Sequence, residues 1–519
     1  MLAIWVGFVQ TGRVQGTSRP DREFLDAAAL CAHLVPEGSV HAFLAEHRHR
    51  VFPDAMFDDL FASRRGRPSV PADVIATVMV LQSLEGLSDR EAVRQLQTNI
   101  AWKAACGLAL TDEAFHSTVL VLWRNKLRES DRPERIFDAI RMVVVESGVL
   151  AGKHRRALDS TVLDDAVARQ DTITMLVVQI HKVRRLIPEL RLVVVRDHNL
   201  EGGRPPCDWD DPTDRERLVS ELVDDANELV WAAEDLKLDE TQTDAIALLA
   251  LVAGQDVEPG DGPGKWKIAK RTAPDRIIST VDVETRHAHK TGRAYRDGYK
   301  AHVAAEPETG IVTACSIGPG NTGDAAAASG LLVDEPAGTE VLGDSAYSSG
   351  ELRAHLEDRK MNPVIKPQPL RPAVDGGYTL DDFDIDLGAS TITCPAGITA
   401  TISPNRTARF GQACRTCPFR QRCTNAKNGR GIVLHPQHRL LAAARAQANT
   451  DTFDKTYRQN RPMIERTIAW LVRNNRRLRY RGIERNQLGW SHRCAAVNLT
   501  RLLNLGLTRT DRWTITTTT

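Results

Sequence analysis

The chain has 519 residues, of which 42% are hydrophobic and 26% charged, so it is long enough for about two to four folded domains and is not a disordered chain. Its net charge of +1 hides an uneven distribution: residues 401–519 hold 23 Lys and Arg against 5 Asp and Glu, or +18, and residues 1–400 hold 45 against 62, or −17. A strongly basic segment is typical of proteins that bind nucleic-acid phosphates.

The sequence also indicates the cellular compartment in which the protein works. No apolar run reaches the roughly 18 residues that a membrane-spanning helix requires, and the start, MLAIWVGFVQ, lacks the charged leader and the length of a signal peptide. We therefore expect a cytoplasmic protein with no membrane partner. In that compartment the nine cysteines are expected to be thiols or metal ligands instead of disulfides.

A helical pattern follows a leader with short helices over residues 1–60. Apolar residues recur at helical spacing in PADVIATVMVLQSL and HSTVLVLWRNKL, and Ser88 and Glu91 have the spacing of a capping box. Short helices joined by glycine-containing turns fit a helix-turn-helix-like DNA-binding domain over residues 61–150. A plain helical bundle fits the same pattern equally well.

An α/β pattern occupies residues 151–377. RRALDSTVL predicts a strand that carries Asp159, and a mostly helical, acidic insertion follows at about residues 165–265. Three strand-like runs come next, GYKAHVAAE, GIVTACSIG and TEVLGDSAY, and then the helix SSGELRAHLEDRK and the strand NPVIKP. A helix in GDAAAASGLL, with Asp324 as its expected N-cap, precedes the third run. This order predicts an α/β fold with a mixed sheet.

The acidic insertion offers an alternative explanation for the basic segment. Residues 201–261 contain 18 acidic and 4 basic residues, so the basic segment 401–519 could fold against them instead of against DNA. We favour nucleic acid because the arginines surround a single acid, Glu465, in YRQNRPMIERTIAWLVRNNRRLRY and do not form a separate tail.

Four cysteines mark a small insertion over residues 378–450, which precedes a basic, helical part of the core over residues 451–519. Their spacing is Cys-x19-Cys-x2-Cys-x5-Cys, and they are Cys394, Cys414, Cys417 and Cys423. Four thiolates complete the tetrahedral shell of a structural Zn²⁺ ion. The alternative is a loop of reduced, partly buried cysteines.

Three carboxylates stand out by their positions. Asp159 lies in a predicted strand and Asp344 follows the apolar run EVLG, although carboxylates are depleted in strands. Taken singly, Asp344 could form a turn, Asp159 could pair with a neighbouring arginine, and Glu465 could form an ordinary helix pair with Arg461. If the two strands are adjacent and the basic helix crosses their ends, the three carboxylates converge and bind two Mg²⁺ (or Mn²⁺) ions.

The helix that carries Glu465 also supplies expected DNA contacts. Tyr457, Arg461 and Glu465 are spaced four residues apart and so share one face of that helix. The residues expected to contact DNA are Tyr457, Arg461, Arg466, Arg473 and Lys300.

These motifs together resemble the bacterial insertion-sequence transposases with an Asp-Asp-Glu triad on a ribonuclease-H-like fold. RGRPSVPADVIATVMVLQSLEGLSDREAVRQL and FHSTVLVLWRNKL resemble their helical N-terminal domain, LDSTVL the strand of the first Asp, and LGDSAYSSGEL the motif of the second. YRQNRPMIERTIAWLVR is similar to the family's Tyr, Arg, Glu and basic-residue signature, with one more residue than usual between Tyr457 and Arg461 and with Arg473 at the distal basic position. The cysteine-containing insertion resembles the branch named for insertion sequence eleven-eighty-two.

The resemblance implies a function for the whole set of residues. Asp159, Asp344 and Glu465 would catalyse metal-dependent cleavage of double-stranded DNA at the element's terminal inverted repeats and strand transfer into target DNA, without a covalent enzyme intermediate. It also implies a nucleoid-associated protein that acts as a homodimer, since two element ends must be held together.

Other functions stay open from the sequence. A ribonuclease-H-like nuclease would cut without joining, and an inactive DNA-binding regulator descended from a transposase would do neither. The intact triad argues against the regulator, because a decayed site usually loses a ligand first. An unrelated RNA-binding protein would need aromatic platforms, and only 5% of the residues are aromatic.

Overall fold

The computed structural model describes residues 14–18, 25–61, 68–196, 205–271, 273, 275–291 and 294–516. Residues 1–13 and 19–24 of the expected N-terminal leader therefore lie outside the described residues. Within the described ranges, no helix combines the length and the apolar character that crossing a membrane requires.

Short helices fill the N-terminal part of the chain. They are α1 (Ala27–Cys31), α2 (Val40–Val51), α3 (Ala72–Glu85), α4 (Asp89–Thr98), α5 (Ile100–Ala105), α6 (Thr118–Glu129) and α7 (Arg135–Ser147). Helix α3 is buried along most of its length and lies at the centre of this group. The predicted capping box is confirmed at α4, where the Ser88 hydroxyl accepts a hydrogen bond from the Glu91 N–H and the Glu91 carboxylate accepts one from the Ser88 N–H.

The middle of the chain forms a mixed α/β layer. Its elements are β1 (Arg155–Asp164), α8 (Thr172–Leu186), α9 (Pro212–Ala232), α10 (Glu240–Gln255), β2 (Val257–Pro259), β3 (Trp266–Ile268), β4 (Arg286–Thr291), β5 (Ala294–Ala305), β6 (Val312–Pro319), α11 (Asp324–Leu331), β7 (Glu340–Gly343), α12 (Gly350–Asp358) and β8 (Asn362–Ile365). The strands and helices that the sequence predicts here are confirmed, while the β2–β3 hairpin and strand β4 are not anticipated.

One mixed sheet organises this layer. Its strands lie in the order β6, β5, β1, β7, β8, and β4 pairs with the beginning of β5. Strand β5 is antiparallel to β1 and to β6, whereas β1, β7 and β8 run parallel. The prediction of an α/β fold with a mixed sheet is thereby confirmed.

The three helices of the acidic segment pack on one another. Helices α8, α9 and α10 turn apolar side chains toward one another, and these form a buried cluster of their own that is separate from the clusters on the two faces of the sheet. Representative members are Leu176, Ile180, Leu222, Leu229 and Leu249. The helices are amphipathic in the way that a small bundle requires.

The C-terminal part begins with short strands and ends with two long helices. Its elements are β9 (Asp384–Asp386), β10 (Thr391–Thr393), β11 (Thr399–Thr401), β12 (Thr407–Arg409), α13 (Arg420–Cys423), β13 (Gly431–Val433), α14 (His438–Ala448), α15 (Asp451–Val472), α16 (Ile483–Asn504), β14 (Leu507–Arg509) and β15 (Trp513–Ile515). Helix α15 packs on β1, β7 and β8, and α16 packs on β6 and on α3, α6 and α7. Helix α16 therefore joins the sheet to the N-terminal helices in one core.

Helix α16 also covers the edge of the sheet at β6. The buried Asn498 side chain accepts a hydrogen bond from the Val312 N–H at 2.7 Å and donates one to the Val312 carbonyl at 2.8 Å. About three turns earlier in α16, Gln487 accepts a hydrogen bond from the Ile317 N–H at 2.7 Å. Two amide side chains thus take the place of a neighbouring strand, because an edge strand leaves its backbone groups without partners.

We expect Asn498→Ala to lower the free energy of unfolding by about 3 kcal/mol, since it leaves a buried N–H and a buried carbonyl unsatisfied. The midpoint of urea unfolding, followed by circular dichroism, measures the change. The control is Asn504→Ala at the exposed end of the same helix, which should shift stability by no more than about 0.5 kcal/mol. Equal midpoints for the two variants would contradict the role assigned to Asn498.

Candidate active site

Asp159 lies in the middle of β1, the central strand of the sheet. Strand β1 is paired with β5 on one side and with β7 on the other, so its backbone position is fixed from both directions. The Ser160 N–H donates a hydrogen bond to Asp159 Oδ1 at 2.9 Å. A carboxylate in such a central strand needs a cation or a ligand to compensate its burial.

Asp344 follows the last residue of β7. Because β1 and β7 are parallel and Ala157 pairs with Leu342, Asp159 and Asp344 both lie two residues beyond that pair and at the same level of the sheet. The Ala346 N–H donates a hydrogen bond to Asp344 Oδ1 at 2.9 Å, at the start of a short 3₁₀ turn. The register of two neighbouring strands thus brings the two aspartates together.

Helix α15 supplies the third carboxylate. Thr450 caps its N-terminus by accepting a hydrogen bond from the Phe453 N–H at 3.3 Å, and Phe453, Ile464 and Leu471 are on its buried face. This face packs across β1, β7 and β8 and so turns Glu465 toward the ends of the strands. The predicted helix is confirmed, with its first turn close to the expected position near residue 452.

Arg461 connects the three carboxylates. Its Nη2 lies 3.0 Å from Asp159 Oδ1 and 3.5 Å from Asp344 Oδ2, and its Nε lies 3.6 Å from Glu465 Oε1. Its Nη1 donates a hydrogen bond to the Leu158 carbonyl at 2.8 Å. One guanidinium is therefore shared by all three members of the predicted triad.

The burial of these groups decreases from the sheet outward. The side chains of Arg461 and Asp159 are 10% and 14% exposed, whereas those of Asp344 and Glu465 are 42% and 65% exposed. Burial raises the pKa of Asp159, and the Arg461 guanidinium opposes that shift. Burial would lower the pKa of Arg461, but the charge of Asp159 outweighs it with help from Tyr457 and Asp344, so the net shift is upward. The charges of Arg461 and Asp159 therefore stabilise each other.

Three further predicted residues lie on the helix of Glu465 or directly at its end: Tyr457 and Arg466 are within α15, and Arg473 is its C-cap. Tyr457, one turn before Arg461, is half-buried and stacks on Phe453 with ring centroids 5.8 Å apart. Burial raises the pKa of Tyr457, and Arg461 opposes that shift. Arg466 and Arg473 are exposed and are seven residues apart, which places them on one face of the helix. These two guanidiniums are accessible to a ligand as large as DNA.

Lys300 does not join the triad. Its Nζ lies 2.9 Å from Asp324 Oδ1 and donates a hydrogen bond to the Thr322 carbonyl at 3.2 Å, on the face of the sheet where α11 begins. The sequence expectation for Asp324 is wrong: Asp324 is the first residue of α11, and its N-cap is Gly323. The carboxylate pairs with the lysine on the neighbouring strand instead of capping its own helix.

The sequence pattern did not single out His302, which lies beside the Lys300–Asp324 ion pair. His302 is buried with its Nδ1 3.6 Å from Asp324 Oδ1, and burial lowers its pKa to about 4. The alternation in GYKAHVA places Lys300 and His302 on one face of β5, and this alternation is the signal that could have found the pair.

A second missed residue is Arg476, beyond the C-terminus of α15. Its Nη1 donates hydrogen bonds to the Thr161 hydroxyl at 2.7 Å and to the Val162 carbonyl at 3.0 Å, both on the strand of Asp159. It ties the basic segment to the candidate site. Only its membership of the arginine run RNNRRLR signals it in the sequence.

Among the described residues, no ion pair joins the basic segment to the acidic insertion. Arg439 pairs with Glu357, Arg445 with Asp381, and Arg458 with Asp454, and none of these partners is in residues 205–261. The acidic helices pair internally instead, as Arg217 does with Asp214 and Glu221. The arginine surface around α15 therefore keeps its charge for another partner.

The four predicted zinc ligands share one cavity. Cys394, Cys414, Cys417 and Cys423 all line it, and each is a free thiol. Among the described residues, no group of three or more His, Cys, Asp or Glu side chains has the arrangement of a formed metal site, and this holds for the cysteines and for the triad. At the triad, Arg461 takes the central position.

Comparison with known proteins adds family information. Residues 393–503 match a family model described as a transposase DDE domain, and residues 32–126 match a model described as a transposase domain (DUF772). The first range contains Glu465 and the four cysteines, and the second contains helices α2 to α5 and most of α6. No curated protein and no solved structure matches the chain. The two matched ranges support an insertion-sequence transposase that carries a DDE domain.

Proposed function

We propose that the chain is a DNA transposase that binds the terminal inverted repeats of its insertion sequence and catalyses metal-dependent strand cleavage and strand transfer. The observation that carries the proposal is the convergence of Asp159, Asp344 and Glu465 on one cation, with no distance above 3.6 Å. These carboxylates come from two parallel strands and one helix that are far apart in sequence. Ionisable residues from distant elements that meet at one place, with a shifted pKa among them, are typical of an active site.

The proposed core is ribonuclease-H-like. Three antiparallel strands, β6, β5 and β1, continue into the parallel strands β7 and β8, and this order supports that fold. The helical acidic segment and the cysteine-containing segment would then be insertions into the core. The second of these supports membership of the branch named for insertion sequence eleven-eighty-two.

The donor set suits Mg²⁺ or Mn²⁺. Hard divalent cations prefer carboxylate oxygens, and Asp159, Asp344 and Glu465 already surround a positive charge. These three residues would hold the ions. Bound ions would supply a more acidic water and stabilisation of the charge that develops on the phosphate oxygens. Arg461 would have to move away from at least some of its carboxylate partners when the ions enter.

The protein's own residues would position the DNA. Arg466 and Arg473 present exposed guanidiniums along α15, and Tyr457 presents a half-buried ring one turn before Arg461. These side chains would hold the backbone so that the scissile phosphate faces the three carboxylates. In the first step water would add to phosphorus and the bond to the 3′ oxygen would break, which leaves a free 3′-hydroxyl and a 5′-phosphate. In the second step that 3′-hydroxyl would attack a phosphorus of the target DNA, and the bond from this phosphorus to the target's own 3′ oxygen would break.

We expect Arg461→Gln to lower the free energy of unfolding by about 3 kcal/mol in the presence of EDTA at neutral pH, because three carboxylates then face one another without a cation. Loss of Arg461 removes the charge that opposes the upward pKa shift of Asp159. A folded-state pKa above the unfolded value gives stability at low pH that is lost as pH rises through the folded pKa. The deficit of the variant should therefore be smaller near pH 5 than near pH 7.5 in thermal melts.

The matched control for this variant is Arg458→Gln. Arg458 lies on the same helix, is exposed, and pairs with the exposed Asp454 at 3.0 Å. Its loss should change stability by less than about 1 kcal/mol and with little dependence on pH. If Arg461→Gln behaves like this control, Arg461 does not compensate the carboxylates.

We expect Asp159→Asn, Asp344→Asn and Glu465→Gln each to abolish Mg²⁺-dependent cleavage and joining of DNA that spans the element's ends, because each removes one carboxylate from the proposed metal site. Binding to the same DNA should survive, since the basic surface is unchanged. Asp454→Asn, on the exposed side of α15, should keep wild-type activity. Cleavage that persists in one triad variant would remove that residue from the catalytic set.

The same assay separates the rival functions. Cleavage without joined product by the wild-type protein would indicate a nuclease that does not transfer strands. Tight binding to the element's ends without any product would indicate a DNA-binding regulator. Either result would contradict the proposed transposition.

DNA binding should depend steeply on salt. If the basic segment contacts 6 to 10 phosphates, affinity falls by about 10³ to 10⁵ between 50 and 200 mM salt. Replacing both Arg466 and Arg473 by alanine should reduce the slope of log affinity against log salt by about two, whereas Arg439→Ala, whose partner is Glu357, should leave it unchanged. Fluorescence anisotropy with labelled duplex measures the slopes, and a flat profile for the wild type would contradict DNA binding by this segment.

A further inference from the structure

The cysteine-containing segment has little apolar material to hold it together. Its strands β9 to β13 have three residues each, and its buried cluster is small. The apolar members of that cluster besides cysteines are Phe383, Ile392, Ala408, Phe410, Ile432 and Leu434. Small units with so few core residues usually depend on a disulfide or a metal ion.

The four cysteines come to one place from separate local structures. Cys394 lies at the turn between β10 and β11, where its N–H donates to the Ile398 carbonyl and its carbonyl accepts from the Gly397 N–H, both at 2.8 Å. Cys414 ends a short 3₁₀ turn, and Cys423 ends α13, with Cys417 between them. Three chain segments thus contribute thiols to one cavity.

The cavity has the size of a single atom or small ion. Its free volume is about 20 Å³, which is room for roughly one water-sized sphere. The remaining lining is largely apolar and includes Tyr378, Ile398 and Phe410. Four cysteines line this space, although their side chains do not have the arrangement of a formed metal site. A space of this size beside four thiols suits an ion that thiolates bind.

The backbone around Cys414 is shaped to approach sulfur closely. The Arg430 N–H donates a hydrogen bond to Cys414 Sγ at 3.4 Å. Gly429 has φ of +84°, and a Cβ at that position would lie 2.4 Å from the Gly411 carbonyl and 3.2 Å from Cys414 Sγ. A glycine is therefore required there, both for the backbone conformation and for the contact. Backbone donors to sulfur are the supporting contacts that metal-bound thiolates need.

Two guanidiniums border the same cavity. Arg420 Nη1 donates to the Cys414 carbonyl at 3.2 Å, and Arg430 Nη1 donates to the Cys423 carbonyl at 3.2 Å. Both arginines line the cavity. Four thiolates around a divalent ion carry a net charge of −2, and two adjacent positive charges would offset it.

We propose that Cys394, Cys414, Cys417 and Cys423 bind one structural Zn²⁺ ion. Four thiols lose four protons on binding, and the sulfurs close to about 2.3 Å from the ion in a tetrahedral shell. With four protein ligands the ion has no open position, so its role is to fold the segment and not to react with DNA. The inference goes beyond the proposed function, because it applies equally to an active transposase and to a DNA-binding protein without catalysis.

The zinc-bound segment would fix the approach to the Glu465 helix. Asp381, within this segment, pairs with Arg445 of α14 at 2.7 Å, and Arg439 of α14 pairs with Glu357 of α12. Helix α14 is followed after two residues by α15. Loss of the ion is therefore expected to loosen α14 and to make the segment sensitive to proteases before the rest of the protein.

The test measures metal content in the full-length protein, purified without a metal-affinity step or chelator. Mass spectrometry of the metal should find about one zinc per chain in the wild type. Cys417→Ser and Cys423→Ser should each lower zinc at least about tenfold, while Cys207→Ser, outside this segment, should keep it. Folded wild type with less than about 0.1 zinc per chain, or equal loss in the Cys207 variant, would overturn the proposal.

A second measurement covers serine variants that fail to fold. Wild type produced with Co²⁺ in place of Zn²⁺ should show the intense visible absorption of cobalt in a tetrahedral thiolate site, and a chelator should abolish it and expose residues 378–450 to limited proteolysis. Cobalt-treated, folded protein without that absorption would contradict the four-thiolate site.

Discussion

Three carboxylates that converge on one place repel one another unless a cation lies among them. In this protein the cation is the guanidinium of Arg461, which reaches Asp159, Asp344 and Glu465 from the interior of the cluster. The arrangement requires the parallel register of β1 and β7 and the docking of α15 across the strand ends. The single positive charge offsets part of the three negative charges and so lowers the repulsion between the acids that the sheet and the helix hold together.

Helix α16 supports that arrangement by packing on the sheet and on the N-terminal helices. Its buried face joins β6 to the N-terminal helices, and Asn498 and Gln487 satisfy the backbone of the edge strand. The N-terminal helices and the sheet therefore share one apolar core, whereas the acidic helices keep a core of their own. The N-terminal helices, which the sequence predicts to bind DNA, would through this shared core hold their ligand at a fixed distance from the three carboxylates.

The sequence predicted what local pattern determines and missed what depends on distant partners. Alternating and helical spacing gave the strands around Asp159 and Asp344, the helix of Glu465 and its shared face with Arg461. The spacing also suggested the Arg461–Glu465 pair, but it could not show that Asp159 and Asp344 share the same guanidinium, because 301 residues separate Asp159 from Arg461. The sequence missed the pairing of Lys300 with Asp324 for a similar reason, because the two side chains meet only when β5 and α11 pack together.

The order of the elements along the chain has a consequence for synthesis, because α16 follows every strand of the mixed sheet. The core that supports β6 is incomplete until α16 (Ile483–Asn504) has left the ribosome. Glu465 lies only 18 residues before the start of α16. The N-terminal helices emerge first but cannot complete their packing until the last long helix arrives. Assembly of the carboxylate cluster therefore has to wait for the synthesis of α15, and a partly made polypeptide would hold its first two aspartates without the helix that brings the third acid and its arginine.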